Sequence, residues 1–321
     1  MDKKNPNAIT VLSIDGGGIL GLYSANILKH VQEDLFGGTP FSEHFDLVTG
    51  TSTGGIIALG LASGRSAEEI VDFYRKYGGC IFPKKSFVAQ LIGGLTSGIY
   101  SNRALTSCLD KFFKKTKVSE CAMNFCVPSI DVSEGKSLVF KTNNSGTQTR
   151  DDEVLLKDIA LATSAAPIYL PMHTFGCYSA LADGGLWQNN PSLIGLIEAL
   201  TSMNAKSVKV LSIGNPLSKI KESVVNKENR NGFFSWHKKL VTLPMKVSSN
   251  ATDYIMNILL RNKSMNLDRY LRIVHNNIAD QNRDLSMDNA SESAMNRLIE
   301  LSDKDYNEYK EKILNFFKEE K

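Results

Sequence analysis

The chain has 321 residues, of which 42% are apolar and 22% charged, and its formal net charge is +3. This composition is typical of a globular protein that buries a core, and the charge is too small to favour a nucleic acid polymer as a partner. No apolar run approaches the roughly 18 residues that a membrane span needs, and the first apolar run is too short for a signal peptide. The five cysteines have no zinc or redox spacing and are expected to be reduced thiols. We therefore expect a soluble, cytoplasmic protein.

The N-terminal part of the chain alternates predicted strands and helices. Residues 9–14 are apolar and β-rich, which predicts a buried strand, and a helix with apolar residues at helical spacing follows. A short apolar run at 45–48 predicts the next strand, and residues 56–62 predict a buried helix. Ser66 to Glu69 form a capping box that opens a further helix. Such alternation over short connections predicts an α/β fold, a mostly parallel sheet in three α/β/α layers.

Residues 79–100 interrupt this alternation, because they mix apolar residues with lysines and glycines. Three interpretations remain open for them: a mobile cover over a site, a face that meets lipid, or an irregular loop on the core. The remaining predicted elements of the core are a helix at 104–113, strands at 124–132 and 137–142, a helix at 155–163, a strand-like run at 180–182, a helix at 192–200 and a strand at 208–214.

The composition changes beyond Pro216. Seven lysines or arginines stand against two glutamates between Lys219 and Lys246, with Phe233, Phe234 and Trp236 among them. This stretch fits a site for a phosphate-bearing activator, a contact with anionic lipid, or a solvated loop whose aromatics are in the core. Residues 288–321 predict two amphipathic helices. We therefore expect a catalytic core at 8–215 and a mainly helical extension at 216–321 that packs on it.

A glycine-flanked serine follows the second predicted strand. Thr49-Gly50-Thr51-Ser52-Thr53-Gly54-Gly55 lies between that strand and a buried helix, and it has the Gly-x-Ser-x-Gly form of a nucleophile elbow. Gly50 and Gly54 are expected because a Cβ next to the strained serine turn would collide with its surroundings. Taken alone, the pattern also fits a turn without chemistry.

A second glycine-rich loop follows the first predicted strand. Gly16, Gly18 and Gly21 match Gly-x-Gly-x-x-Gly between a strand and a helix. Its backbone N–H groups can hold the pyrophosphate of a nucleotide or the oxyanion of an acyl-transfer intermediate. A dinucleotide site calls for an acidic residue about 20 positions on, at the end of the next strand, but the elbow occupies that place. We favour an oxyanion hole, and a nucleotide-binding protein stays the alternative.

The serine needs a base, and Asp183 is the favoured candidate. It stands in Asp-Gly-Gly directly after a strand-like run, and a carboxylate in a dry pocket can accept the proton of Ser52 as the transition state forms. The alternative is a Ser-His-Asp esterase in which Ser52 and Asp183 are completed by His237 or His275. Neither histidine lies in a glycine-rich or strand-end setting, so we favour a Ser52–Asp183 dyad.

Three ordered motifs give the chain a specific resemblance. The motifs Asp15-Gly16-Gly17-Gly18 with Gly21, Gly50 to Gly55, and Asp183-Gly184-Gly185 resemble those of the patatin-like phospholipase family, and residues 162–167 and 187–191 are similar to it as well. The resemblance covers residues 8–215. It implies lipid acyl hydrolysis by a Ser52–Asp183 dyad, an oxyanion hole formed by the backbone amides of Gly17 and Gly18, and no metal or cofactor. The residues that it assigns to supporting the motifs are Asp15, Gly16, Gly21, Gly50, Gly54, Gly184 and Gly185.

Two positions depart from the family pattern. Many members carry a basic residue where this chain has Leu20, and a later strand that often ends Gly-Thr-Gly here reads Gly214-Asn215-Pro216. Within the family, the chain resembles bacterial phospholipases that act as anti-phage effectors switched on by cyclic nucleotides. That resemblance implies a phospholipid membrane surface as substrate and a cyclic nucleotide as activator. It also implies peripheral association with the inner membrane and a homo-oligomer in the active state.

Overall fold

A central mixed sheet organises the chain. The computed structural model describes residues 8–86, 93, 98–143, 150–216, 239–275 and 285–318. The described residues form an eight-stranded sheet of order β5-β6-β3-β2-β1-β7-β8, with β4 paired to β3. Its strands are β1 Ala8–Ile14, β2 Leu47–Gly50, β3 Asn124–Asp131, β4 Lys136–Lys141, β5 His173–Phe175, β6 Tyr178–Asp183, β7 Ser207–Ile213 and β8 Leu267–Ile273.

The strand directions confirm the predicted fold class. β1 lies between β2 and β7 and is parallel to both, and the pairs β2–β3 and β7–β8 are also parallel. β4 and β6 run antiparallel to β3, and β5 runs antiparallel to β6. The C-terminal part of the chain contributes β8 to this sheet, a strand that the sequence did not lead us to expect.

Helices cover both faces of the sheet. They are α1 Gly21–His30, α2 Thr53–Ala62, α3 Ala67–Ile81, α4 Asn102–Phe113, α5 Leu156–Thr163, α6 Gly185–Gln188, α7 Ser192–Thr201, α8 Lys239–Arg261 and α9 Glu292–Phe317. The adjacent β1 residues Val11 and Leu12 belong to two separate apolar cores, because successive side chains of a strand point to opposite faces. Leu22 of α1 and Leu298 of α9 join one core, and Met256 of α8 joins the other.

The helix boundaries confirm one prediction and correct another. The capping box before α3 is present, since the Ser66 hydroxyl accepts from the Glu69 amide at 3.1 Å and the Glu69 carboxylate accepts from the Ser66 amide at 2.9 Å. The prediction of two amphipathic helices at the C-terminus was wrong, because α9 is a single helix of 26 residues. No glycine or proline interrupts its sequence, and its buried side chains keep helical spacing from Leu298 to Phe316.

The ends of two strands meet at one edge of β3. Cys126 of β3 pairs with Thr49 of β2 on one side and with β4 on the other, and Ser129 pairs with Asp183 of β6 and with β4. β2 and β6 therefore lie on the same side of β3, with Pro128 between their levels. Because β2 is parallel to β3 and β6 is antiparallel, their carboxyl-terminal ends approach each other head-on. This arrangement brings the residue that follows β2 close to the last residue of β6.

Some of the sequence-based expectations concern residues outside those that the structure describes. Residues 87–92 and 94–97 of the 79–100 segment lie outside the described residues, and so do residues 217–238, which include Phe233, Phe234 and Trp236. Among the helices that the structure describes, none combines the length and the apolar character needed to cross a bilayer. All five cysteines are free thiols, as predicted.

Candidate active site

Ser52 and Asp183 are in direct contact at the meeting point of β2 and β6. The Ser52 hydroxyl donates to Asp183 Oδ2 at 2.6 Å, and the two residues are 3% and 0% exposed. Ser52 has φ of +56° and ψ of −126° between β2 and α2, a strained conformation for a residue with a side chain. This is the geometry of a nucleophile elbow, in which a sharp strand-to-helix turn presents the serine.

The Asp183 carboxyl group is tuned by burial. Its second oxygen, Oδ1, accepts from the Gly185 amide at 2.7 Å. Removal from water raises the pKa of Asp183 to about 7, and the hydrogen bonds from Ser52 and Gly185 oppose that rise. A carboxylate with such a pKa is a far better proton acceptor than an ordinary aspartate and is still ionised in slightly alkaline solution.

Neighbouring groups hold the elbow in its strained shape. The Ser52 amide donates to Thr163 Oγ1 at 3.0 Å, and the Thr163 hydroxyl in turn donates to the Pro128 carbonyl at 2.6 Å. The expected crowding around the elbow glycines is present: a Cβ on Gly50 would lie 2.1 Å from the carbonyl oxygen of Gly54. The elbow therefore needs its glycines for close backbone approach, and Thr163 fixes the serine backbone.

The first glycine loop lies beside the elbow because β1 and β2 are neighbours. The Gly17 amide donates to Thr53 Oγ1 at 3.3 Å, which directs it towards the residue that follows Ser52. The Gly18 amide has no acceptor among the residues that the structure describes. The next amide, of Ile19, donates to the Met287 carbonyl at 2.9 Å. Of these three amides, that of Gly18 is the one without an acceptor among the described residues, and Gly18 lines the same cavity as Ser52, as a donor to an oxyanion would.

The other motif glycines also lie where backbones approach closely. A Cβ on Gly16 would be 2.9 Å from the Cβ of Ser52, and one on Gly21 would be 2.4 Å from the Tyr74 hydroxyl oxygen. Gly184 passes the Pro128 carbonyl, and Gly185 passes Asp183 and Met245. The motifs are therefore rich in glycine because the two loops and the end of β6 are packed against one another.

Asp15 is paired with a residue that the sequence analysis missed. Arg272 of β8 contacts both Asp15 carboxylate oxygens, at 3.0 and 2.6 Å, and the Ser249 hydroxyl donates to Asp15 Oδ2 at 3.0 Å. Burial opposes the charge on Arg272, but the attraction of Asp15 outweighs it and holds the pKa of Arg272 above its ordinary value. Arg272 and Arg269 both lie in the run 267–273, and nothing in the sequence distinguishes the one that pairs with Asp15. The C-terminal part of the chain is thereby tied to the glycine loop.

Two cavities adjoin the site. The first has a volume of about 30 Å³ and is lined by Ser52 and by apolar side chains that include Phe73, Phe82, Tyr169 and Met287. The second is a cleft of about 340 Å³ that the glycine loop also borders, lined by Leu20, Asn189, Asn215, Ser249 and Asp288, among others. Met287 borders both cavities. The apolar cavity has room for little more than one water molecule, whereas the cleft has the size of a small-ligand site.

The histidines of the alternative triad are placed as follows. His275 follows β8, and its Nδ1 lies 2.9 Å from Asp305 Oδ2, a carboxylate oxygen that also accepts from the Tyr23 hydroxyl at 2.6 Å. His237 lies outside the described residues. The contact between Ser52 and Asp183 is direct, with no imidazole between the two side chains.

The fold and the motifs together define the class of the protein, a hydrolase that cleaves esters. A family model described as patatin-like phospholipase matches residues 12–195. The chain is 34% identical over 313 residues to the cGAMP-activated phospholipase of Escherichia coli strain TW11681, which covers 90% of this chain and 86% of that protein. The chain belongs to the patatin-like phospholipase family.

Two further relatives cover most of the chain. A cGAMP-activated phospholipase of Vibrio cholerae serotype O1 is 32% identical over 317 residues, which span 91% of this chain and 88% of that protein. Patatin-like protein 2 of Arabidopsis thaliana is 30% identical over 297 residues, or 79% of this chain and 73% of that protein. In all three comparisons the similarity extends well beyond the residues matched by the family model.

Proposed function

We propose that this protein hydrolyses fatty-acyl esters of membrane phospholipids through a dyad of Ser52 and Asp183. The observation that carries the proposal is the 2.6 Å hydrogen bond from the Ser52 hydroxyl to the buried Asp183 carboxylate, beside a loop that presents backbone amides. A serine hydroxyl is a weak nucleophile by itself, and an adjacent base activates it. Asp183 has the required position and, through burial, a pKa of about 7.

The reaction follows from the positions of these groups. Ser52 Oγ attacks the acyl carbonyl carbon while its proton passes to Asp183, and the amides of Gly17 and Gly18 stabilise the resulting oxyanion. The tetrahedral intermediate then collapses, the lysophospholipid oxygen takes the proton back from Asp183, and an acyl-serine ester remains. A water molecule, deprotonated by Asp183, attacks that ester, and Asp183 returns the proton to Ser52 Oγ as the acyl–Oγ bond breaks and the fatty acid is released.

We propose further that a cyclic nucleotide activates the enzyme at the membrane surface. The proposal is supported by two relatives that are named cGAMP-activated phospholipases. An activator accelerates turnover when it binds the active conformation of the enzyme more tightly than the resting one. Peripheral binding to the inner membrane and self-association are part of the same proposed active state.

The test is fatty-acid release from phospholipid vesicles, with and without a panel of cyclic dinucleotides and trinucleotides. We expect one or more cyclic nucleotides to stimulate release, and we expect Ser52→Ala and Asp183→Asn each to abolish it. Asp183→Asn keeps the size of the side chain and removes the base. If the variant folds and is inactive, the loss of activity is due to the missing proton acceptor. Thermal unfolding of each variant checks that the fold is intact.

The outcomes separate the parts of the proposal. Full activity in Asp183→Asn, or loss of activity in His275→Ala, would contradict the dyad in favour of a histidine base. Ser52-dependent hydrolysis that no cyclic nucleotide stimulates would contradict the proposed activation and support the proposed hydrolysis. Absence of Ser52-dependent fatty-acid release under every condition would contradict the proposed function itself.

A further inference from the structure

The carbonyl oxygen of Gly16 is held by two side-chain amides from distant parts of the chain. Asn189 Nδ2 donates to it at 3.1 Å and Asn215 Nδ2 donates to it at 2.8 Å. Both asparagines are 6% exposed. Asn189 follows α6 and Asn215 follows β7, so the two donors belong to different elements that converge on one peptide group. A backbone carbonyl oxygen has two lone pairs, and here a buried side-chain amide donates to each of them.

The Gly16 carbonyl and the Gly17 amide belong to the same peptide plane. In a trans peptide the C=O and the N–H point in opposite directions, so fixing the oxygen of Gly16 fixes the direction of the Gly17 N–H. That N–H faces the elbow, since it donates to Thr53 Oγ1 at 3.3 Å. Glycines on both sides of a peptide leave it free to rotate, because no Cβ restricts the flanking dihedral angles. Two donors on the carbonyl remove that freedom.

The glycines and the asparagines fit each other closely. A Cβ on Gly17 would lie 2.3 Å from Asn215 Nδ2, and a Cβ on Gly16 would lie 2.5 Å from Asn189 Oδ1. Each asparagine is itself held in place: Asn189 Nδ2 also donates to Ser249 at 2.9 Å, and Asn215 Oδ1 accepts from Ser24 at 3.4 Å. The amides are therefore oriented groups built against the loop.

We infer that Asn189 and Asn215 are positioning residues that aim the Gly17 amide at the oxyanion. The inference rests on the proposed function, in which that amide stabilises the tetrahedral intermediate. The two asparagines act through the peptide plane and do not touch the reacting atoms. Their contribution is therefore expected in the transition state and not in the binding of the substrate in its ground state.

The experiment compares Asn189→Ala, Asn215→Ala and the double variant with the unaltered protein. We expect each single variant to lower kcat about 3-fold and the double variant to lower it about 10²-fold, with KM changed less than about two-fold. The double loss exceeds the product of the single losses because either donor alone still restrains the plane. Affinity for a trifluoromethyl ketone analogue, which forms a tetrahedral adduct with a serine, should fall in parallel with kcat/KM. Affinity for a non-hydrolysable ether analogue should stay the same.

Asn190→Ala is the matched control. Asn190 is 0% exposed, and its side-chain oxygen accepts from the Ser192 amide and hydroxyl; none of the hydrogen bonds between described residues joins its side chain to the glycine loop. We expect this variant to lose thermal stability and to keep kcat and the affinity for the trifluoromethyl ketone. A variant that is less stable but fully active would show that loss of a buried asparagine does not by itself lower kcat.

Each outcome supports or overturns the inference. Suppose that the wild type shows Ser52-dependent hydrolysis. If the double variant then has the same kcat, or a lower kcat with unchanged affinity for the trifluoromethyl ketone, the inference is overturned and the proposed function stands. A fall of the same size in Asn190→Ala would overturn it as well. A wild-type protein without Ser52-dependent hydrolysis would overturn the proposed function and, with it, the inference.

Discussion

Ser52 and Asp183 reach each other from strands that run in opposite directions along the same edge of β3. β2 leaves that edge after Thr49, and β6 occupies it from Ser129 onward, so the carboxyl-terminal ends of the two strands face each other. Pro128 lies at the level between them, where its carbonyl accepts from Thr163. The contact is thus set by sheet topology and does not depend on the conformation of a long loop. This explains how the two side chains are held at 2.6 Å inside the protein.

The first prediction concerns the pH dependence of hydrolysis. The base must be ionised to accept the Ser52 proton, and burial raises the pKa of Asp183 to about 7. We therefore expect kcat/KM to be constant at alkaline pH and to fall about tenfold per pH unit below about 7. The measurement uses vesicles of a zwitterionic phospholipid, whose head group does not titrate in this range. Binding of Ser52→Ala to the same vesicles is the control, and a flat rate profile between pH 5 and pH 9 would contradict the assignment of Asp183.

The second prediction concerns stability. Asp183 has a higher pKa in the folded state than in the unfolded chain, so its ionisation destabilises the fold, and that cost develops as the pH rises from about 4 to about 7. The raised pKa corresponds to roughly 4 kcal/mol at full ionisation. Asp183→Asn keeps an acceptor for Gly185 and a partner for Ser52, so the variant should be more stable than the wild type above pH 7. The difference should vanish below about pH 4.

Urea unfolding of both proteins at a series of pH values measures this difference directly. Other groups titrate alike in the two proteins, and their effects cancel in the comparison. A variant that is less stable at pH 8, or a difference that does not change with pH, would contradict a pKa of about 7 for Asp183.

The sequence predicted the site residues that stand in local motifs, and it did not predict contacts between residues far apart in the chain. Ser52, Asp183 and the glycine loop stand in local motifs, and these motifs do come together in the fold. The partner of Asp15 is Arg272, which is 257 positions away and leaves no trace in the sequence around Asp15. Asn215 was visible as a departure from the family pattern, but only the fold shows that its amide reaches the Gly16 carbonyl.

The secondary structure elements likewise divide into those that a local pattern predicts and those that depend on distant contacts. Elements with strong periodicity or clear caps were predicted best: β1 was expected at 9–14 and is observed at Ala8–Ile14, and α3 begins at its predicted capping box. β8 was not predicted, because its run from Leu267 to Ile273 carries two arginines and becomes a strand by pairing with β7. The continuity of α9 was also missed, since a polar stretch near its middle resembles a break until the helix packs against α1.

The third prediction concerns Thr163, which links the elbow to β3. Its hydroxyl accepts from the Ser52 amide and donates to the Pro128 carbonyl, so Thr163→Val keeps the shape and removes both hydrogen bonds. A buried amide and a buried carbonyl are then left without a partner, and we expect a loss of about 1–3 kcal/mol in the free energy of unfolding. We also expect kcat to fall, because the strained serine backbone is released. Thr163→Ser retains the hydroxyl and should keep most of the activity, and equal kcat in the two variants would contradict this role.

The fourth prediction concerns the buried ion pair that fastens the glycine loop to β8. Arg272 contacts both oxygens of Asp15, and Arg272→Ala leaves that carboxylate buried without its cation. Removing one partner of a buried pair typically costs about 3–5 kcal/mol, whereas replacing both partners by neutral groups of similar size costs much less. We therefore expect the double variant Asp15→Asn, Arg272→Met to be more stable than Arg272→Ala alone. Denaturant unfolding of the three proteins measures the two differences. Arg272→Ala with a loss below about 1 kcal/mol would instead mean that water reaches Asp15 and that the pair resembles an exposed salt bridge.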